Sequence, residues 1–160
     1  MQYKASAYDE REHDRYKAIT IDQPAADALT IPVVIGPGYV PEAAVNIYLC
    51  DWNTNYRGEL LICAGRGSVI HPGKMTCGLV ELTEVKGIDE LTEQERSNSV
   101  GRGRYAFVFR NPRRVIEYPC STGRRIWTYV CPKDEVQEYP ITVRLGWDGL
   151  KLIQKKRGRG

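Results

Sequence analysis

Apolar and polar positions alternate along several stretches of the chain with the period of a β-strand. In Arg104–Arg110, Tyr105, Phe107 and Phe109 share one side, while Ala106, Val108 and Arg110 share the other. Successive strand side chains point to opposite faces, so this spacing predicts a strand. In Pro140–Leu145, Ile141, Val143 and Leu145 alternate with Thr142 and Arg144 in the same way. The near-continuous apolar runs Gly58–Ala64 (GELLICA) and Cys77–Val85 (CGLVELTEV) predict buried strands. Ala18–Ile21 and Arg125–Val130 are shorter strand candidates.

Helical signals are sparse. A short helix is expected after the Asp22-Gln-Pro24 turn, running to Leu29. Asp89–Ser97 carries helix-start chemistry, because Thr92 stands three residues before Glu95 as a capping box requires. Residues 31–41 (IPVVIGPGYVP) hold three prolines and two glycines and suit a loop or an edge strand. The charged segment 8–17 (YDEREHDRYK) reads equally as a short solvated helix or an arm. About six short strands with one to three short helices predict a mostly β (α+β) fold, a small β-barrel. The expected organisation is a charged arm over residues 1–17, one domain over 18–150 and a basic tail over 151–160.

Composition narrows the class. At 160 residues, 42% apolar and 27% charged, the chain fits one globular domain and excludes a wholly disordered one. No apolar stretch approaches the roughly 18 residues of a membrane span, and the charged start does not read as a secretory signal. The five cysteines, Cys50, Cys63, Cys77, Cys120 and Cys131, form no C-x-x-C pair, which argues against structural zinc. Their odd number predicts free thiols and a cytoplasmic setting. His13 and His71 are the only histidines, and neither has the neighbours of a catalytic triad or a metal site. We therefore expect no metal and no cofactor.

The net charge of +3 conceals an asymmetry. Residues 1–95 carry 8 Lys and Arg against 15 Asp and Glu; residues 96–160 carry 15 against 5. Either the two halves neutralise each other or the basic half meets an anionic partner, most often nucleic acid.

Asp51-Trp-Asn-Thr-Asn-Tyr-Arg-Gly58, leading into Glu59-Leu-Leu-Ile-Cys-Ala64, is the most informative stretch. It resembles the Ser-Trp-x-Thr-x-Tyr-Arg-Gly turn and Leu-Leu-Ile-His-Ala strand of the ASCH domains, a branch of the PUA-like β-barrels. Four further segments are similar to that family in the same order. They are Ala18–Pro24, Gly78–Leu82, Tyr105–Arg114 and Gly123–Trp127, so the resemblance covers roughly residues 18–130. It implies a PUA-like barrel with a cleft suited to RNA or a modified nucleotide, since members of the superfamily bind RNA or modified bases. One subgroup hydrolyses N4-acetylcytidine. The family's Lys, Glu and Arg signature positions are occupied here by Val45, Tyr48 and Cys50. Amide hydrolysis needs a base and a group that stabilises the oxyanion, and these substitutions remove the family's candidates.

The resemblance implies a cleft walled by Gln23, Trp52, Thr54 and Arg57. Each has a structural alternative. Trp52 either stacks on a base or packs over the barrel end, and Gln23 either reads a base edge or ties its turn. Thr54 suits a local backbone hydrogen bond, and Tyr56-Arg57-Gly58 suits the turn itself. Gly101-Arg-Gly-Arg104 followed by Tyr105 mixes charge and aromatic surface as single-strand binders do. With Arg110, Arg113, Arg114, Arg124 and Arg125 it places seven arginines between residues 102 and 125. The leading expectation is a non-catalytic domain binding RNA or a modified nucleotide, using Gln23, Trp52, Thr54, Tyr56, Arg57, Arg102, Arg104, Tyr105 and Arg113. The alternatives are an amidohydrolase on a modified pyrimidine nucleoside, with Glu42 or Glu81 as base, and a module whose basic face meets an acidic protein.

Overall fold

The computed structural model describes residues 12–139. The expected strand Pro140–Leu145, the tail and most of the leading arm lie outside the described residues. The elements are β1 (His13–Ile21), α1 (Ala25–Thr30), β2 (Pro32–Ile35), β3 (Pro41–Ala43), β4 (Ile47–Cys50), β5 (Gly58–Ala64) and β6 (Thr76–Gly87). They continue with α2 (Glu93–Ser97), β7 (Ser99–Gly101), β8 (Tyr105–Arg114) and β9 (Ile126–Pro132). The fold is mostly β, as expected. Among the described residues, no helix is long and apolar enough to cross a membrane.

Seven strands form one mixed sheet in the order β7-β4-β8-β6-β5-β1-β9, and β2 pairs with β3 apart from it. Five strand-to-strand steps separate β4 from β9, which in a flat sheet would be about 24 Å. Yet the guanidinium of Arg125, just before β9, stands 5.7 Å from the ring of Trp52, just after β4. The sheet therefore curls back on itself into a barrel-like form. Register shifts in β6 between Leu79 and Glu81 and between Leu82 and Glu84 bend its long middle strand.

The period-two pattern explains why GELLICA reads as continuous. Leu60 and Ile62 of β5 enter one buried cluster with Ile19, Ile21, Val80, Leu82, Phe107 and Phe109. Leu61 and Cys63 enter a second cluster on the opposite face with Ala18, Leu79, Tyr129 and Cys131. A strand covered on both faces needs no polar alternation. Helix α1 covers the first cluster with Ala26 and Leu29.

β1 begins five residues before the expected strand at Ala18, so residues 13–17 form neither arm nor helix. They pair antiparallel with β9, from His13 with Pro132 to Lys17 with Thr128. This ladder satisfies the backbone, and Tyr16 packs on the second cluster, outweighing the charged local pattern. The Thr92–Glu95 capping box forms as expected: Glu95 N donates to Thr92 Oγ1 at 3.1 Å and Thr92 N to Glu95 Oε1 at 2.9 Å. The helix it starts covers only Glu93–Ser97. Residues 31–41 become β2, a turn and β3, with Gly38 and Tyr39 at φ of 72° and 62°.

Candidate functional site

Three chain segments converge on an open cleft of about 450 Å³. The end of β1 and the turn into α1 supply Ile21 to Ala25; the end of β4 and the residues after it supply Tyr48 to Trp52; the end of β7 and the turn after it supply Gly101 and Arg102. β7 pairs parallel with β4, Leu49 opposite Gly101, which brings the last two segments together. Glycine makes that approach feasible. Gly103 has φ +150°, and a Cβ there would lie 2.1 Å from the carbonyl carbon of Cys50. The glycines of the Gly-Arg-Gly-Arg segment thus hold the turn against β4, and this contact sets Arg102 on the cleft rim.

Trp52 is half-buried, and its indole meets Phe107 edge to face at 4.9 Å and 82°. Arg125 lies over the same indole at 5.7 Å, a cation–π contact. Phe107 also contacts Tyr48 edge to face at 6.4 Å, so one buried ring supports two cleft walls. Burial pushes the Tyr48 hydroxyl up to about 12. Burial likewise pushes the Cys50 thiol up to about 11, and the thiol donates to the Trp52 carbonyl at 3.4 Å. Both remain protonated near neutral pH, so neither serves there as an ionised base or nucleophile.

Of the residues expected at the site, Gln23, Trp52 and Arg102 line the cleft. The Gln23 side chain is also tied inward: its Oε1 accepts from Asp27 N at 3.0 Å and its Nε2 donates to Cys77 Sγ at 3.6 Å. Thr54, Tyr56 and Arg57 brace their own turn instead. Tyr56 N donates to Thr54 Oγ1, Tyr56 Oη to the Glu59 carbonyl, and Arg57 Nη1 to the Thr54 and Tyr56 carbonyls. Tyr105 pairs with Cys50 across β8 and β4 and packs on the core, with Arg104 over its ring at 5.7 Å. Glu42 is ion-paired with Arg110 at 3.4 Å, Glu81 is exposed on β6, and neither lines the cleft.

The arginines divide into two sets. Arg110, Arg113 and Arg114 pair with Glu42, Glu59 and Asp27, all from the acidic half. Arg113 also reaches Glu138 at 3.2 Å, so it is held within an ion-pair network. Internal neutralisation therefore accounts for part of the charge asymmetry. Arg102, Arg104, Arg124 and Arg125 are exposed and make no ion pair among the described residues. Two of these four border the cleft, Arg102 by lining it and Arg125 by covering Trp52.

A buried polar cluster behind Gln23 was not legible beforehand. Asp27, 5% exposed on α1, accepts from Arg114 at 2.7 Å and meets His71 Nδ1 at 2.6 Å. Its sequence context, Ala-Ala-Asp-Ala-Leu-Thr, carries no motif that pairs it with either partner. Burial pushes its carboxyl up, but the Gln23 hydrogen bond and the Arg114 charge outweigh this and hold it below the usual range. Among the described residues, no group of three or more His, Cys, Asp or Glu side chains is placed to hold a metal. No protein-family model matches the chain, and no curated protein matches it.

Proposed function

We propose that this chain is a non-catalytic, PUA-like domain of ASCH type that binds RNA or a modified nucleotide in the cleft beside Trp52. The observation that carries the reading is the joining, around one concave space, of an aromatic wall with cations that make no ion pair among the described residues. Trp52 offers π surface, Arg102 stands on the rim, and Arg125 already rests on the indole. The cleft volume falls within the roughly 300–1,000 Å³ usual for small-ligand sites, enough for one nucleotide. A base that enters takes the place of the Arg125 guanidinium or sandwiches against it. Stacking on an aromatic side chain contributes roughly 1–3 kcal/mol per base, and guanidinium groups fork onto phosphate oxygens. On this reading N4-acetylcytidine should remain intact when incubated with the protein.

Titration of a single-stranded RNA oligonucleotide, followed by tryptophan fluorescence across a salt series, tests the reading. The Arg102→Ala/Arg125→Ala variant is expected to bind more weakly. Its log–log salt slope should flatten by about 1.4, or about 0.7 for each lost phosphate contact. Arg113→Ala, whose guanidinium is held by Glu59 and Glu138, should leave that slope unchanged. Loss of binding in Arg113→Ala, with none in the double variant, would move the interface away from the cleft.

A further inference from the structure

The cleft beside Trp52 carries a charge pattern that RNA binding alone does not require. Its indole already holds a cation from the protein's own chain, the Arg125 guanidinium at 5.7 Å. That placement is built into the fold. Near the end of β1, Thr20 Oγ1 accepts from Gly123 N and donates to the Gly123 carbonyl, each at 3.2 Å. A Cβ at Gly123 would stand 2.4 Å from Trp127 Cδ2, so glycine is the residue that fits against that ring. Arg125 then turns with φ +57°, in the left-handed region that other residues seldom adopt. From this fastened turn its guanidinium reaches Trp52. The walls add two carboxylates. Asp22, just after β1, and Asp51, beside Trp52, both line the cleft and are exposed. Asp22 Oδ1 accepts from Arg66 N at 2.6 Å. Asp51 makes neither a side-chain hydrogen bond nor an ion pair among the described residues. An aromatic face with carboxylates nearby attracts a cation, while Arg102 on the rim attracts an anion.

We propose, resting on the reading that this cleft takes a nucleotide, that the base it selects carries a fixed positive charge: a purine alkylated on a ring nitrogen, such as 7-methylguanine. The bound base displaces the Arg125 guanidinium and takes its place as the cation over the indole. Methylation at N7 leaves the imidazole ring of guanine positively charged, and that charge meets the negative face of Trp52. The exchange swaps one cation for another, so the carboxylates keep their counter-charge. A neutral base would use the aromatic surface but leave Asp22 and Asp51 unanswered. The guanine edge presents N1–H and N2–H side by side, a donor pair that one carboxylate accepts as it accepts a guanidinium fork. Asp51 is the cleft carboxylate whose two oxygens are uncommitted among the described residues. The 5′-phosphate then falls to Arg102 and the released Arg125. Acid within the walls and base on the rim thus match a ligand that is cationic at its base and anionic at its phosphate. A methylated lysine or arginine side chain shares the cation but brings no phosphate for the two arginines, so the nucleotide is the better match.

Calorimetric titration of the full chain with guanosine monophosphate and its 7-methyl form, in mildly acidic buffer where the base keeps its N1–H, tests this. The 7-methyl nucleotide should bind about tenfold more tightly, within the range of a desolvated cation–π contact. The 7-methyl-7-deaza analogue, which keeps the methyl group and lacks the charge, should bind no better than guanosine monophosphate. Asp51→Asn, a change at an exposed position, should narrow the preference for the 7-methyl nucleotide and leave single-stranded RNA binding in place. Equal binding of the methylated and unmethylated nucleotides, or of the 7-methyl nucleotide and its deaza analogue, would overturn the proposal while RNA binding in the cleft still stood. Tetramethylammonium binding as tightly as the 7-methyl nucleotide would also overturn it, because the cleft would then select a cation without a nucleotide. If neither RNA nor any of these nucleotides binds, the proposal and the reading it rests on fail together.

Discussion

Replacing Phe107 by alanine is expected to destabilise the fold by about 3–5 kcal/mol, the range found when a buried aromatic is truncated. Phe107 has no exposure and sits in the middle strand of the β4-β8-β6 trio, where its ring contacts Trp52, Tyr48 and Phe109 edge to face. The loss has two parts, the transfer energy of the removed ring and the cavity left among side chains that are themselves locked on both sides. Edge-to-face aromatic pairs add roughly 0.5–1.5 kcal/mol each beyond burial, which favours the upper part of that range. Urea denaturation should show a lower midpoint at unchanged slope. Because the same ring supports Trp52 and Tyr48, any folded Phe107→Ala protein should also bind RNA more weakly. A stability loss below about 1 kcal/mol would mean that the core closes around the gap, and the cleft would then not depend on this ring.

Asp27→Ala is expected to cost about 3 kcal/mol near neutral pH, the low end for breaking a buried ion pair because Arg114 and His71 keep some solvent. Removing the carboxylate leaves the Arg114 guanidinium, 18% exposed, with Glu117 and Thr30 as its remaining side-chain partners among the described residues. It also removes the tie that His71 makes between the 66–73 loop and α1. The pH dependence has a definite sign. The folded-state acidity constant of Asp27 is depressed, so its contribution is fully present above the unfolded carboxyl value of about 4. It is lost as pH falls through the lower, folded value. The stability gap between the native protein and Asp27→Ala should therefore be largest near pH 7 and shrink in acid. Parallel stability curves down to acid pH would contradict the depressed carboxyl.

The residues legible in the sequence were those whose pattern is set by a periodic backbone. β5, β6 and β8 were visible because burial on one or both faces fixes their alternation, and the capping box at Thr92 because its two hydrogen bonds join residues three apart. The first half of β1 was not visible. His13–Lys17 are held by β9, more than a hundred residues away, and nothing in a charged pentapeptide announces that partner. The cleft was legible in part. Trp52 and Arg102 were picked out for their chemistry, and both line it. Thr54, Tyr56 and Arg57 share a motif with Trp52, yet they spend their hydrogen bonds on the turn that presents it. Arg113 carries the same charge as Arg102 and differs only in having two carboxylates beside it, a matter of tertiary position. Asp27 and His71 are 44 residues apart in the chain and meet only through the fold.

The central claim is that the space between Trp52, Arg102 and Arg125 receives a nucleotide. It is tested most directly by two-dimensional NMR of the Trp indole and Arg side-chain N–H groups, with single-stranded RNA added at about 50 mM salt, where phosphate contacts are strongest. The resonances of Trp52, Arg102 and Arg125 are expected to move together and saturate, while those of Arg113 and Arg114 stay in place. Shifts confined to the paired arginines, or no shift at any of these groups, would contradict it.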